Sequence, residues 1–211
     1  MVRINVNPTR MELSRLKARL KTATRGHKLL KDKTDELIRR FTAIIKENKR
    51  LRDEVEEDMS RVLTQFSAAK SLMSEEDIEL AFSMPAVSLE VECASQSIMN
   101  VAVPRLILSE KGSEKAYPYA FAAVTSEADY SVRMMGKTVY KLVKLAETEK
   151  TAQMLADEIE KGKRRVNALE NIMIPSLEET IKYISMKLEE NDRSSRTRLM
   201  KVKSMLEEGA R

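Results

Sequence analysis

Few residues in this sequence have the types and spacing that catalysis or metal binding requires. His27 is the only histidine and Cys93 the only cysteine among the 211 residues. His27 falls on the apolar seam of a predicted helix, and no second histidine or nearby cysteine could complete a metal site. Cys93 lies on a predicted strand. We therefore expect both residues to be structural, and we expect no metal site and no cofactor.

The glycines and carboxylates do not point to a reaction either. The five glycines occur nowhere as a phosphate-binding GxxxxGK or GxGxxG pattern. The many carboxylates are typical of helix surfaces, and a rod built of helices offers no pocket to shield a reaction from water. The sequence therefore predicts a protein that is not itself an enzyme and has no catalytic residues.

The composition favours long, solvated helices over a thick globular core. Charged residues make up 34% of the chain and aromatic residues 4%, with only five glycines and five prolines. A single cysteine fits a reducing compartment. The sequence contains no apolar run of about 18 residues, and its first residues lack the apolar stretch of a signal peptide. We expect a cytoplasmic protein with no segment inserted in a membrane.

The first long helix is predicted over residues 10–73. Thr9 and Glu12 form a capping box, in which the hydroxyl accepts the Glu12 N–H and the carboxylate returns to the Thr9 N–H. Apolar residues then recur at steps of three and four, and we call these positions the seam. A helix of this length measures about 95 Å. The seam runs through Leu13, Leu16, Leu20, Ala23, His27, Leu30, Thr34, Leu37, Phe41, Ile44, Asn48, Leu51, Val55, Met59, Val62, Phe66, Ala69 and Met73.

Residues 74–125 are predicted to be a connector with small elements. Ser74 and Asp77 predict a short helix over 75–83. Alternating apolar residues over 87–93 and 99–103 predict a β-hairpin whose loop is 94–97 and whose second strand ends at Pro104. A polar loop is expected over 109–116. Tyr117, Tyr119 and Phe121 are expected to pack as a small cap.

The second long helix is predicted over residues 126–211. Ser126 and Asp129 are its capping pair, and Pro175 is expected to bend the helix near 171–175 without breaking it. Because each helix buries the seam of the other, the two should pair as an antiparallel coiled coil, with the C-terminal end overhanging. The second seam is predicted at Met135, Val139, Leu142, Ala146, Ala152, Leu155, Ile159, Gly162, Val166, Leu169, Met173, Leu177, Ile181, Ile184, Leu188, Asn191, Ser195, Leu199, Val202 and Leu206.

Charge is unevenly distributed along the chain. Residues 3–50 carry fifteen Lys/Arg and five Asp/Glu, whereas residues 51–98 carry three and eleven. The stretch from Arg193 to Lys203 is basic again. In an antiparallel hairpin the two basic ends meet at one tip. This pattern indicates two ends with two different partners and argues against a nucleic-acid-binding face.

Seven cations are the candidate partner contacts of the predicted hairpin. Lys161–Arg165 could be a solvated helix face or a contact for an acidic protein surface, and both interpretations stay open. The basic residues after Asp192 spread around the helix, which favours a rod end surrounded by a partner over one DNA face. The candidates are Arg10, Arg164, Arg165, Arg193, Arg196, Arg198 and Lys201.

Several segments together resemble a known family, the D subunits of the V-type and archaeal A-type rotary ATPases. The likeness covers nearly the whole chain in the correct order, which is more specific than a heptad pattern alone. Its motifs are Asn7-Pro8-Thr9-Arg10-Met11-Glu12-Leu13, Lys28-Leu29-Leu30-Lys31-Asp32-Lys33 with Asp35-Glu36-Leu37, Arg164-Arg165-Val166-Asn167-Ala168-Leu169-Glu170, and Ile174-Pro175 with Thr180-Ile181.

The resemblance implies a central rotor shaft that transmits torque and does not hydrolyse ATP. Its partners would be the A and B subunits of the catalytic hexamer, the F subunit on the side of the shaft, and the C (or d) subunit at the membrane rotor. Torque would couple ATP chemistry to proton or sodium movement. The family pattern also implies a peripheral location on the cytoplasmic face of the membrane, with both termini inside the ring.

Two other classes of protein remain as alternatives. A prefoldin-type chaperone subunit also has two coiled-coil helices joined by β-hairpins, but its helices are shorter and its tips expose apolar residues, whereas this tip is basic. A tRNA-binding helical arm would protrude from a larger enzyme, and this chain has no such enzyme left over. Co-purification of A, B and F subunits, of unfolded clients, or of RNA separates the three.

Overall fold

The computed structural model describes residues 4–83, 87–112, 119 and 124–209. It confirms the predicted class, mainly α with long helices and a small hairpin between them. The chain divides into two compact units, unit 1 (Met1–Glu36 and Glu160–Arg211) and unit 2 (Leu37–Ile159). The elements are α1 (Arg10–Leu72), α2 (Glu75–Phe82), β1 (Val87–Ile98), β2 (Val101–Gly112), α3 (Ser126–Ala168), a π-helical turn (Leu169–Met173) and α4 (Ile174–Gly209).

Helix α1 begins as the sequence predicts, with one difference. The Glu12 N–H donates to Thr9 Oγ1 at 3.2 Å, which is the expected cap. The return bond of a capping box is absent, because the Thr9 N–H donates to the Asn7 carbonyl at 2.9 Å. The Glu12 carboxylate instead pairs with Arg15 one turn along the helix, at 3.4 Å.

The seam predicted for α1 is confirmed, since every position from Leu13 to Met73 is buried or half-buried. In unit 1, Leu16 packs with Leu177 and Ile184 of α4. In unit 2, Leu37 packs with Leu155 and Ile159 of α3. Residues later in α1 meet residues earlier in the other helices, so the packing is antiparallel within each unit.

The seam predicted at the start of α3 is partly wrong. Met135 and Ala146 are exposed, whereas Ser131 and Thr138 are buried. A hydroxyl can be buried here because it donates to the carbonyl four residues earlier in its own helix. The Ser131 and Thr138 bonds measure 2.7 and 3.0 Å. An apolar-only pattern misses such residues. Thr34 and Thr180 make the same bond in unit 1.

Gly162 lies where the two helices of unit 1 approach closely. A Cβ atom at this position would stand 3.2 Å from Thr34 Oγ1. We expect Gly162→Val to lower the free energy of unfolding by about 1–3 kcal/mol through overpacking, as measured by urea denaturation. Adding Thr34→Ala should recover part of the loss. Gly136→Val is the matched control, because nothing lies within 4 Å of a Cβ there; an equal loss at both sites would contradict the steric explanation.

The helix does not break at Pro175, as predicted, but a π-helical turn precedes it. The Ile174 N–H donates to the Leu169 carbonyl, five residues earlier, so this turn holds one residue more than an α-helical turn. The predicted seam steps from Leu169 to Leu177 cover eight residues, one more than a heptad. The same step from Leu51 to Met59 lies in the regular helix α1, so the step by itself does not predict a π turn. The π turn absorbs the extra residue between Leu169 and Leu177, which leaves Leu177 fully buried and Met173 exposed.

A single deletion tests this explanation. On a Pro175→Ala background, which removes the clash of the proline ring with a regular helix, we expect deletion of Ile172 to change the unfolding free energy by less than about 1 kcal/mol. The deletion converts the π turn into an α-helical turn, so the seam residues on both sides of it still face the core. Deletion of Lys163, which is also exposed but lies in regular helix, should cost more than about 3 kcal/mol because the seam rotates out of phase. Similar urea midpoints for the two deletions would rule the explanation out.

The capping residues predicted for the two later helices do not cap through their side chains. Ser74 occupies the N-cap position of α2 but makes no side-chain cap bond. Ser126 is itself the first residue of α3, and the Asp129 N–H donates to the carbonyl of Thr125 at 3.1 Å. Both starts were predicted correctly although the bonding was not.

The hairpin is longer than predicted, and its turn lies elsewhere. Residues 94–97 and 109–112 belong to the strands, and the turn is Met99–Asn100, whose φ angles are +50° and +67°. These angles are typical of a two-residue hairpin turn. Pro104 does not end β2 but pairs with Ser95; an outer edge tolerates its missing N–H. Residues 113–116 lie outside the described residues.

The hairpin is fixed against the helices of unit 2. Ile98, Met99 and Val101 pack against the Leu37 cluster, and Val103 is buried. The Leu106 N–H donates to Glu147 of α3 at 2.9 Å. A backbone donor of β2 is thus held by a helix carboxylate, which the sequence pattern did not reveal.

Aromatic side chains pack together at the connector. Of the three rings predicted to form a cap, Tyr119 is the one that the structure describes, and it packs as expected. Tyr119 stacks edge-on against Phe82, with ring centroids 5.7 Å apart, and Phe82 stacks against Phe66 at 5.9 Å. The Tyr119 hydroxyl donates to Asp129 at 3.1 Å. Tyr117 and Phe121 lie outside the described residues, so their packing stays a prediction.

Candidate functional site: the basic tail surface of α4

The end of α4 carries an amphipathic surface that no described residue covers. We call residues Arg193–Leu206 the tail surface; apart from the half-buried Ser194, all of its side chains are exposed. Four of the seven candidate cations lie here, Arg193, Arg196, Arg198 and Lys201, and no described side chain forms an ion pair with them. The predicted overhang is therefore present in unit 1. Its exposed apolar residues are Leu199, Met200, Val202, Met205 and Leu206.

Arg10 lies at the base of the tail surface but is not a free cation. Its guanidinium donates to both carboxylate oxygens of Asp192, each at 3.0 Å. The pair joins the first residue of α1 to α4 immediately before the tail begins. Because both side chains are well exposed, the pair fixes geometry more than it stabilises the fold. We now interpret Arg10 as a positioning residue in unit 1.

Arg164 and Arg165 form a second basic patch on α3 in unit 1. Arg164 pairs with Glu160 one turn earlier, and Arg165 is exposed with no ion-pair partner among the described side chains. The structure therefore does not bring this patch together with the tail surface through any described contact. Whether either patch binds a partner stays a prediction.

The first described residues of the chain contribute a contact that the sequence pattern did not predict. The Ile4 N–H donates to the Thr180 hydroxyl at 3.2 Å, and Ile4 packs against the Leu16 core. Thr180 lies beside the predicted seam position Ile181. The segment before α1 is therefore attached to α4 in unit 1 through Ile4.

The two units differ in charge. Unit 1 contains 22 Lys/Arg and 13 Asp/Glu, whereas unit 2 contains 16 and 20, so the net charges are +9 and −4. The predicted charge asymmetry thus follows the division into units. A difference of this size favours partners of different charge for the two units.

The ammonium group of Lys141 in α3 has a raised pKa, which leads to a pH prediction. The Asp58 hydrogen bond, at 2.6 Å, raises the pKa of Lys141 above its ordinary 10.5. A raised lysine pKa stabilises the fold at neutral pH and stops doing so as pH rises through the folded value. We expect the difference in Tm between the protein and Lys141→Met to vanish in strongly alkaline buffer. Lys144→Met is the control, because Lys144 Nζ lies 3.8 Å from the Glu47 carboxylate, too far for a hydrogen bond. If the Tm difference between the protein and Lys141→Met stayed constant with pH, the assignment would be contradicted.

The residues first considered for chemistry occupy structural or surface positions. His27 Nε2 lies 3.3 Å from Glu170 Oε2 across the helix pair of unit 1, and Cys93 is exposed on β1. Within residues 4–83, 87–112, 119 and 124–209, no three His, Cys, Asp or Glu side chains are placed so that they could hold a metal ion. In the same residues no helix is both long and apolar enough to cross a membrane.

Comparison with known proteins identifies the family. Residues 12–204 match the family described as the D subunit of ATP synthase. Proteins named as the D subunit of V-type ATP synthase are similar over nearly the full chain. That of Thermoanaerobacter sp. (strain X514) is 50% identical over 209 residues, covering 99% of this chain and 100% of the relative. Those of Clostridioides difficile (strain 630) and Clostridium novyi (strain NT) are 52% and 53% identical, covering 98% of this chain and 93% and 97% of the relatives. The chain belongs to the family of ATP synthase D subunits.

Proposed function

We propose that this chain is the central-stalk rotor subunit of a rotary ATPase. It transmits torque between the hexamer that hydrolyses or synthesises ATP and the membrane ring that moves ions, and it performs no catalysis itself. Its place is peripheral, on the cytoplasmic face of the membrane. Family membership supports the assembly, and the tail surface is the observation that carries the mechanical role.

The tail surface suits a bearing inside a ring of subunits. Its cations do not form one stripe but lie on more than one side of the helix, so a partner that encloses the rod meets positive charge from several directions. Ion pairs with exposed cations are individually weak, about 1 kcal/mol or less, so contacts can break and re-form as the rod turns. We therefore assign Arg193, Arg196, Arg198 and Lys201 to contacts with the A and B subunits.

The remaining partners are assigned to other surfaces. Arg164 and Arg165 would contact acidic residues of a partner along the shaft. Unit 2, with its net negative charge, would bind the F subunit and the C (or d) subunit. These assignments rest on charge and on the family resemblance, and they predict no nucleic-acid partner.

Reconstitution tests the proposal. The A and B subunits are purified with and without this chain, and rotation of an attached bead is recorded during ATP hydrolysis. We expect processive rotation only with the chain present, and native mass determination should show one copy per complex. If ATP-driven rotation persists without the chain, the rotor assignment is wrong.

The exposed apolar residues of the tail surface make a prefoldin-like chaperone the alternative that must also be tested. Leu199, Val202 and Leu206 are the type of residue with which a prefoldin-like subunit would capture clients, so the tip is not only basic. A chaperone should suppress aggregation of an unfolded protein such as reduced lysozyme. We expect no suppression by the isolated chain at equimolar ratio.

A further inference from the structure

An apolar cavity lies in unit 2, where α1, α2 and α3 meet. Its volume is about 530 Å³. Its lining is almost wholly apolar and includes Leu63, Phe66, Ile78, Phe82 and Met135. Leu63 and Met135 are also substantially exposed, so the cavity opens to solvent. A cavity of this size accepts one or two bulky side chains.

The walls of the cavity are held in place before any partner binds. Phe82 is fixed between Phe66 and Tyr119 by the two edge-on ring contacts. Tyr119 is tied to Asp129, which also accepts from Arg133 at 2.9 Å. A preformed site loses little conformational entropy on binding. The cavity is therefore suited to receive a side chain without rearrangement.

The rim of the cavity is acidic on the side of α2. Glu75, Glu76, Asp77 and Glu79 are exposed, and no described side chain pairs with them. The first three lie in the first turn, where the helix dipole favours carboxylates. Glu79 lies in the second half of α2, where the dipole disfavours it, yet it lines the cavity. Helix stability therefore does not account for Glu79, whereas a basic occupant would.

We propose that this cavity binds a helical segment of a partner protein that inserts a bulky apolar side chain and places lysine or arginine against the rim. The apolar lining supplies the anchor. Glu79 on the lining, with Glu75 and Glu76 each about one turn before it on α2, supplies the charge complementarity. An acidic segment or an anionic lipid surface would be repelled by the same carboxylates. The proposal specifies the chemistry of one partner site on unit 2 and in that respect rests on the proposed function. Peptide binding depends only on the geometry of unit 2, so it can fail while the rotor assignment stands.

Titration of the full chain with two synthetic peptides tests the proposal. Both are amphipathic helices with leucine on one face; one carries lysine on the other face and the second carries glutamate. By calorimetry, we expect the lysine peptide to bind at least about tenfold more tightly. Equal binding of the two peptides, or tighter binding of the glutamate peptide, would overturn the proposal.

Matched variants locate the binding site. Leu63→Gln should weaken binding of the lysine peptide at least about fivefold, whereas Leu80→Gln should not, because Leu80 is an equally simple exposed leucine that does not line the cavity. Glu76→Gln with Glu79→Gln should lower both the affinity and its salt dependence. The control is Glu92→Gln with Glu110→Gln on the hairpin. Equal losses in variant and control would show non-specific attraction and contradict the proposal.

A second copy of the chain is the competing occupant, because its own tail surface is basic and apolar. Analytical ultracentrifugation of the full chain decides between them. We expect a monomer at micromolar concentration in both the protein and Leu63→Gln. An oligomer that Leu63→Gln disperses would show that the occupant is a second copy, and the foreign partner would be rejected.

Discussion

A chain that ends at Asp192 is expected to retain its fold and lose its coupling to the ATPase hexamer. Residues 193–206 make almost no buried contacts, so their removal should shift Tm by no more than about 2 °C. The Arg10–Asp192 pair is kept. Without the tail surface, rotation driven by ATP in the reconstituted complex should fall at least about tenfold. Scanning calorimetry and bead rotation measure the two effects.

Variants of full length show whether the loss of coupling comes from the missing cations or from the shorter helix. Replacing Arg193, Arg196, Arg198 and Lys201 by glutamine should reproduce most of the loss and make the remaining coupling insensitive to salt. The control replaces four exposed α1 cations of the same unit, Lys17, Arg19, Lys21 and Arg25. Full coupling by the truncated chain, or a large fall in its Tm, would show that the tail surface is not the bearing contact.

Leu177→Ala is expected to be the most destabilising single substitution in unit 1. Leu177 is fully buried and packs with Leu16 and Ile184. Removing its side chain leaves a cavity and should cost about 2–5 kcal/mol in the free energy of unfolding. Urea denaturation followed by circular dichroism at 222 nm measures the loss.

Ile172→Ala is the matched control for this substitution, since Ile172 lies five residues away and is 70% exposed. It should change the free energy of unfolding by less than about 0.5 kcal/mol. The contrast also tests the phase of the helix after the π turn. If Ile172→Ala proved the costlier of the two, the assignment of Leu177 to the core would be wrong.

The long helices could be predicted from the sequence because their apolar spacing is regular over many turns. The seam of α1 was correct throughout, and the starts of α2 and α3 were correct although their cap bonds were not. The errors arose where polar residues replace apolar ones. Ser131 and Thr138 are buried only because each satisfies its hydroxyl within its own helix, and a pattern of apolar residues contains no record of such bonds.

The hairpin and the π turn show two other limits of sequence reasoning. The polar residues 94–97 were assigned to a loop, but they form strand because backbone pairing with 102–105 continues through them. Met99–Asn100 did not match the usual Asn-Gly turn signal. The π turn was not predicted, because Pro175 indicated only a bend and the eight-residue seam step before it also occurs in regular helix, from Leu51 to Met59 of α1.

The candidate site was predictable in composition but not in pairing. The cations predicted to contact a partner at the rod end are exposed in the structure, and the contact itself stays a prediction. In the sequence Arg10 and Arg164 cannot be distinguished from the cations of the tail surface, yet in the structure each of the two pairs with a carboxylate. Asp192 lies 182 residues from Arg10, and such a pair becomes visible only when the register of two helices is known. The acidic rim of α2 was visible as sequence, but the cavity beside it was not.

The exposed Cys93 has a practical consequence for measuring motion. It is the only thiol of the chain, and it pairs across the hairpin with Leu106, the residue whose N–H is held by Glu147. A maleimide dye would therefore attach at one native position on a strand anchored to a helix. The orientation of unit 2 can thus be followed by polarised fluorescence in the wild-type sequence, without the cysteine removals that most proteins need before labelling.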